Sequence, residues 1–348
     1  MKRTMKLMRK MALIILFLGV IGNLKAQDAK KALEYMNVIS NEYQKISTDM
    51  WSYTCAMAHG NRARKIENKR KELIGTIGDA KKRISKMSDF DGDTGYRDST
   101  ISYLNISYLV MSEDYSKIVD MEEIAEQSYD QMEAYMTARE MANDKLDVAG
   151  EMMSTEHKAF AAKHNITLIE DNSKLNKNLE KAGDVFKYYN VVYLIFFKSN
   201  KQEMYLMDAL QKSDINALEQ NKNTLISYAT EGLAKMAEIK SFKSDQSLKI
   251  ACENMLKFYN KEATEKVDLM RDFLLKKDNY DKKLAVFQSN KSHSEAEVND
   301  YNKMVNDYNL AVNQFNKLST DLQNERNRLL DAWNNAAKNF LDKNIPAK

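Results

Sequence analysis

The chain has 348 residues, 43% hydrophobic and 30% charged, with 53 Lys and Arg against 50 Asp and Glu. That hydrophobic share excludes an extended disordered polymer, and the length can furnish two cores of ordinary domain size. Two cysteines exclude a disulfide framework, while one proline and ten glycines leave long stretches with nothing to interrupt a helix.

Residues 1–10 carry Lys2, Arg3, Lys6, Arg9 and Lys10, and are followed by the apolar run MALIILFLGVIG and then NLKAQD. A basic start, a short apolar core and small Ala26 before Gln27 predict a cleavable export signal over residues 1–26. Its removal takes away six basic and no acidic residues, leaving 47 basic against 50 acidic. The mature chain then has little long-range attraction for phosphate backbones, so nucleic acid is not expected as a partner. Export predicts a periplasmic or outer-surface location.

The first helix is expected from Ala32, with Met36, Ile39, Tyr43, Ile46, Met50, Tyr53 and Met57 at alternating spacings of three and four. Gly60 breaks it. A second helix is expected over 62–87, where the basic run 61–72 reads as a solvated face, and it ends in the turn sequence SDFDGDTG. A third helix begins near Asp98 and is expected to reach about Met141, followed by a fourth segment that ends near His164. The second half should place helices over 172–212, 214–240, 245–277 and 294–342. In the last of these, Val298, Tyr301, Val305, Tyr308, Val312 and Phe315 continue through Leu322 and Leu329 as a heptad seam, interrupted by Ser319 and Arg326. A helix that long needs either an antiparallel helical hairpin or a second copy of the chain along 298–329, which would make a homodimer.

The strip 66–93 resembles the strip 218–245. Leu73 falls on Leu225, Ile84 on Met236, Phe90 on Phe242 and Asp93 on Asp245, with five of 28 positions identical. Accidental phasing of helical stripes is the alternative to a true duplication. The predicted architecture is all-α: two tandem elongated four-helix units with coiled-coil-like long helices, divided as 27–168 and 169–348 behind the signal.

No constellation for catalysis emerges, and the protein is read as not an enzyme. Asp89, Asp91, Asp93 and Asp98 crowd one loop, but a calcium loop needs Gly at its sixth and Glu at its twelfth position, where Thr94 and Thr100 stand. A capped interhelical turn is expected there. His59, His157, His164 and His293 form no zinc pattern and are expected to be surface or satisfied side chains, while Cys55 and Cys252 are expected as unpaired thiols. No metal or cofactor is assigned.

Two surfaces are singled out for partners. Residues 185–197, VFKYYNVVYLIFF, are apolar around nearly the whole helix, which suits a central buried helix or, alternatively, a membrane-contacting surface through Tyr188, Tyr189, Tyr193, Phe196 and Phe197. Asn302, Asn309 and Asn316 repeat every seven residues beside the aromatic seam and make a polar ridge.

With its signal ending LKAQD, its Tyr- and Asn-rich long helices and its repeated strip, the chain resembles uncharacterised exported helical surface proteins of Bacteroidota. The resemblance spans the whole chain and implies an envelope location in a diderm bacterium, but transfers no site residue. The expected function is a non-catalytic binding or structural protein of the cell envelope, whose partner is an envelope protein or glycan. The alternatives are a membrane-interacting helical protein that behaves like pore-forming toxins, and a cryptic metal-dependent hydrolase.

Overall fold

The computed structural model describes residues 13–15, 23–60 and 63–347. The expected signal therefore lies largely outside the described residues. Within it, Leu13–Ile15 forms a short strand, β1, paired antiparallel with β2, Leu168–Glu170, so that Ile14 sits opposite Ile169. Nearly everything else described is α-helical.

The packing divides into two compact units, one holding residues 1–188 and 341–348, the other 189–340. In the first, α1 (Asn23–Ala58) packs on α2 (Ala63–Ile84), and α2 packs on α3 (Gly95–Leu109). A π-helical turn at Val110–Asp114 carries α3 into α4 (Tyr115–Ala125), and α5 (Tyr129–Lys163) lies along both. The expected single helix from Asp98 to Met141 is thus corrected. Ser128 starts a new helix by accepting the Gln131 N–H at 3.2 Å, and its hydroxyl lies 3.2 Å from the Gln131 amide oxygen. That is a serine N-cap, a helix-start signal that the apolar periodicity masks.

The stripe expected on α1 is the buried one, with Met36, Ile39, Ile46 and Tyr53 all at most 5% exposed. The basic run 61–72 is not uniformly solvated, however. Arg70 is buried, pairs with Glu67 at 2.8 Å and donates to the carbonyl of Met111 inside the π turn. Widening the helix there leaves a carbonyl in need of a donor, and a guanidinium reaches it.

The second half contains α6 (Lys174–Gln211), α7 (Ile215–Glu238), α8 (Ser247–Glu265), α9 (Val267–Ser289) and α10 (Glu295–Asn344). Sequence expected one helix over 245–277. The chain breaks at Lys266 and then continues to Ser289, because Phe273 and, beyond 277, Tyr280 and Phe287 find ring partners on α10. Ser294 and Glu297 close a reciprocal capping box at the start of α10, with bonds of 2.7 and 3.3 Å.

Local geometry recurs between the halves. Left-handed Gly60 (φ 58°) precedes α2 and left-handed Ser213 (φ 56°) precedes α7. The turns 90–93 and 242–245 both have a left-handed second residue, Asp91 (51°) and Lys243 (56°), and both close with a 2.9 Å bond from the Asp N–H to the Phe carbonyl. Asp93 accepts from the N–H of Gly95 at 3.0 Å, as Asp245 does from Ser247 at 2.9 Å. Arg97 donates to the Met87 carbonyl, and Lys249 donates to that of Ile239. The matched positions of the turns are 152 residues apart, and Gly60 and Ser213 are 153 apart. Against the last helices, Phe90 meets Phe160 and Phe242 meets Phe340, both edge-on with centroids 5.4 Å apart.

Candidate functional site

Three of the four aspartates of the 89–98 loop bond within or beside the turn, and Asp91 holds its left-handed position. Asp89 accepts the Gly92 N–H at 2.9 Å, Asp93 also pairs with Lys163 at 2.7 Å, and Asp98 pairs with Arg97 at 2.8 Å. The Lys163 ammonium and the Gly95 N–H hold the Asp93 carboxyl below its ordinary pKa. Among the described residues no group of three or more His, Cys, Asp and Glu is placed to hold a metal ion. Cys55 and Cys252 are free thiols, and burial raises the pKa of both.

Two of the histidines depart from expectation, whereas His59 pairs with Asp342 at 2.8 Å. His157 and His164 are buried on α5 among rings: Tyr96 lies 5.0 Å from His157, while Phe90 and Phe160 lie 4.8 and 4.5 Å from His164. Neither Nε2 has a hydrogen-bond partner among the described residues. Burial, with Lys158 nearby, lowers the pKa of His157 to about 4, so it is neutral in the folded state. Its unfolded counterpart titrates near 6.5. Stability is therefore full above pH 6.5 and falls as pH drops from there toward 4. The substitution H157F is expected to remove most of that acid sensitivity in urea unfolding measured from pH 7 to 4.5, and an unchanged slope would assign the sensitivity elsewhere.

The residues 185–197 lie inside α6. Val185, Val192, Phe196 and Phe197 are buried, and Tyr188, Tyr189 and Tyr193 are half-buried. Phe196 stacks on Trp333 of α10 at 4.2 Å, and Tyr193 stacks between Tyr189 at 5.8 Å and Phe197 at 5.7 Å. Val191 is exposed on the same helix. No described helix is long and apolar enough to cross a membrane.

The seam of α10 is met by α9. Phe315 stacks on Phe273 at 4.1 Å, Tyr308 on Tyr280 at 4.0 Å, and Tyr301 on Phe287 at 4.1 Å, with interplanar angles of 16°, 8° and 11°. His293, in the connection, stacks on the other side of Phe287 at 3.8 Å. Each ring pair joins two antiparallel helices at successive heptads, so this arm closes its own aromatic seam. Asn302, Asn309 and Asn316 remain exposed, and Val286, Val298 and Leu310 are exposed along the same arm.

The least expected arrangement is a charge layer in the core of the second unit. Arg326 of α10 sets Nε 2.5 Å from Glu203 of α6 and Nη2 2.6 Å from Glu262 of α8. The carboxylate side chains are 4% and 0% exposed, and the arginine side chain is 10% exposed. Gln323 accepts from Nη1 at 2.8 Å, and the guanidinium lies 5.8 Å from the ring centre of Phe258. One turn away, Asn200 donates to the buried hydroxyl of Tyr259 at 2.8 Å. Among the described residues Glu262 Oε2 has no hydrogen-bond partner. Burial, and then the neighbouring Glu203 carboxylate, raise the pKa of Glu262 to about 7; burial also raises that of Glu203. Two carboxylates facing one guanidinium in a dry core leave one negative charge unbalanced, and a shared proton is the cheapest remedy.

Sequence reading missed this layer except for Arg326, visible as a charged interruption of the α10 seam. Glu203 carried the same signal: it stands in phase with Val192, Phe196, Ser199 and Leu206, all buried. A charge at a buried phase position is the pattern to search for. Comparison of the chain with family models, with curated proteins and with solved structures finds no match.

Proposed function

We propose that the protein is an exported, non-catalytic binding or structural protein of a bacterial cell envelope, made of two tandem four-helix units descended from one duplicated unit. The matched turns, left-handed residues and capping bonds support the duplication, since independent helical stretches have no reason to share them in the same order at nearly the same spacing. In this reading α1, α2, α3 with α4, and α5 correspond to α6, α7, α8 with α9, and α10.

The observation that carries the binding role is the α9 and α10 arm. Its ring pairs satisfy the seam within the chain, which frees the outward face for a partner. That face presents the amides of Asn302, Asn309 and Asn316, suited to hydrogen bonding with a glycan or a polar protein surface, beside exposed Val298 and Leu310. A membrane role through 185–197 would first require extracting Phe196 from its stack on Trp333.

A photoreactive side chain placed at position 309 in the native cells tests the proposal. A discrete envelope protein or glycan adduct is expected there and not from a control at exposed Lys71. Equal, diffuse labelling at both positions would count against a binding arm, and an adduct with a second copy of the chain would identify the homodimer instead. Membrane recovery without any adduct would move the weight to lipid contact.

A further inference from the structure

The matched halves show which parts of the core the fold requires. Ile39, Ile46, Tyr53 and Ala56 of α1 are buried, as are Val192, Ser199, Leu206 and Ala209 of α6, each 153 residues later. On the same count Glu203 corresponds to Met50. At the 152-residue spacing of the turns, Glu262 corresponds to Val110, which is 2% exposed. Along the last helices Ala142, Ala149, Met153 and Phe160 are buried, as are Leu322, Leu329, Trp333 and Phe340, each 180 residues on. That places Arg326 on Leu146. Where the second unit has Glu, Glu and Arg, the first has Met, Val and Leu. Val110 is buried while Met50 and Leu146 are half-buried, so the corresponding positions of the first unit carry hydrocarbon and the fold does not by itself call for charge there.

We infer that the Glu203, Arg326 and Glu262 layer is a proton-operated latch, in which one proton held between the two carboxylates fastens α10 to α6 and α8, and loss of that proton loosens α10. The inference rests on the correspondence of the halves, but not on the binding role of the arm. The charged and titratable groups acting on Glu262 are Glu203 from α6, Arg326 and Glu325 from α10, and Tyr259 on its own helix. Only Arg326 among them is cationic. With the proton present, the layer is neutral and Arg326 spans both carboxyls. Without it, a net negative charge sits where Glu262 Oε2 has no donor, and water must enter to solvate it. Buried ion clusters of this kind seldom add stability over hydrocarbon, which fits a switching role better than a structural one.

A carboxyl that titrates higher in the folded protein contributes stability present below its unfolded value, here 4.5, and lost as pH rises through its folded value of about 7. The test follows unfolding of the full chain in urea from pH 5 to 8.5 in a W51F background, where Trp333 of the second unit is the remaining tryptophan. The wild-type layer is expected to lose roughly a hundredfold in its folding equilibrium constant over that range. The variant E262Q, which carries the amide in place of the protonated acid, should be nearly flat. So should the triple variant E203M, E262V and R326L, which copies the first unit. Asp147, held at about 6 by burial and by Asp144 and Glu151, and His157, lowered to about 4 by burial, belong to the first unit, are present in every variant and cancel in the comparison. A flat wild-type profile overturns the latch, and so does a slope shared by wild type and either variant. If the triple variant fails to fold while E262Q folds and is flat, the latch stands and the correspondence of the halves does not.

Discussion

Replacing Arg326 by methionine is expected to cost about 3–5 kcal/mol at pH 7. Methionine fills much of the same volume, so the cost does not come from a cavity. It comes from leaving the carboxylates of Glu203 and Glu262, 4% and 0% exposed, without the cation that lies 2.5 and 2.6 Å from them. Both acids must then be protonated for the unit to fold. The deficit should therefore shrink as pH falls toward 5, where protonation is easier, and grow above pH 7. Urea unfolding of R326M at pH 5, 7 and 8, read through Trp333, checks both size and direction. A loss under 1 kcal/mol at pH 7 would show that water already reaches the layer and that its charges are not held in a dry core. Combining R326M with E203M and E262V should recover most of the stability, because the remaining side chains ask for no counter-charge.

The second large effect lies in the first unit. Phe160 sits at the meeting of Tyr35, Phe90, Tyr96 and His164, with ring centroids 5.6, 5.4, 5.6 and 4.5 Å away. The ring is 3% exposed and joins α5 to α1, to the 90–93 turn and to the start of α3. Truncating it to alanine opens a cavity that four rigid neighbours cannot collapse into, at a cost of about 3–5 kcal/mol. The substitution F160L should cost less than half as much, since it keeps most of the apolar volume. Unfolding followed in a W333F background through Trp51, which belongs to this unit, separates the effect from the second unit. F160A at wild-type stability would mean that the cluster is loosely packed and that the turn, not the ring, locates α5.

Much of the element layout was legible in the sequence. The spacing of Met36, Ile39, Ile46 and Tyr53 marked the buried face of α1, Gly60 marked its end, and the turn ending at Asp93 was expected as a capped connection, which its hydrogen bonds bear out. These are local matters: side-chain period, left-handed residues and carboxylates facing nearby N–H groups act within a few residues. The misplaced boundary at 125–129 is also local, and its signal is the N-cap serine at 128.

What the tertiary structure decided is which stripes face one another. Sequence alone showed an aromatic seam on α10; the structure pairs it, ring on ring, with α9. Sequence placed His157 and His164 seven apart on a helix, and only packing put them among the rings of Tyr96, Phe90 and Phe160. Glu203, Glu262 and Arg326 stand 59 and 64 residues apart, and no local pattern announces that they meet. Helical periodicity is written by neighbours three and four residues away, whereas the desolvation that raises a carboxyl's proton affinity depends on side chains brought in from distant helices.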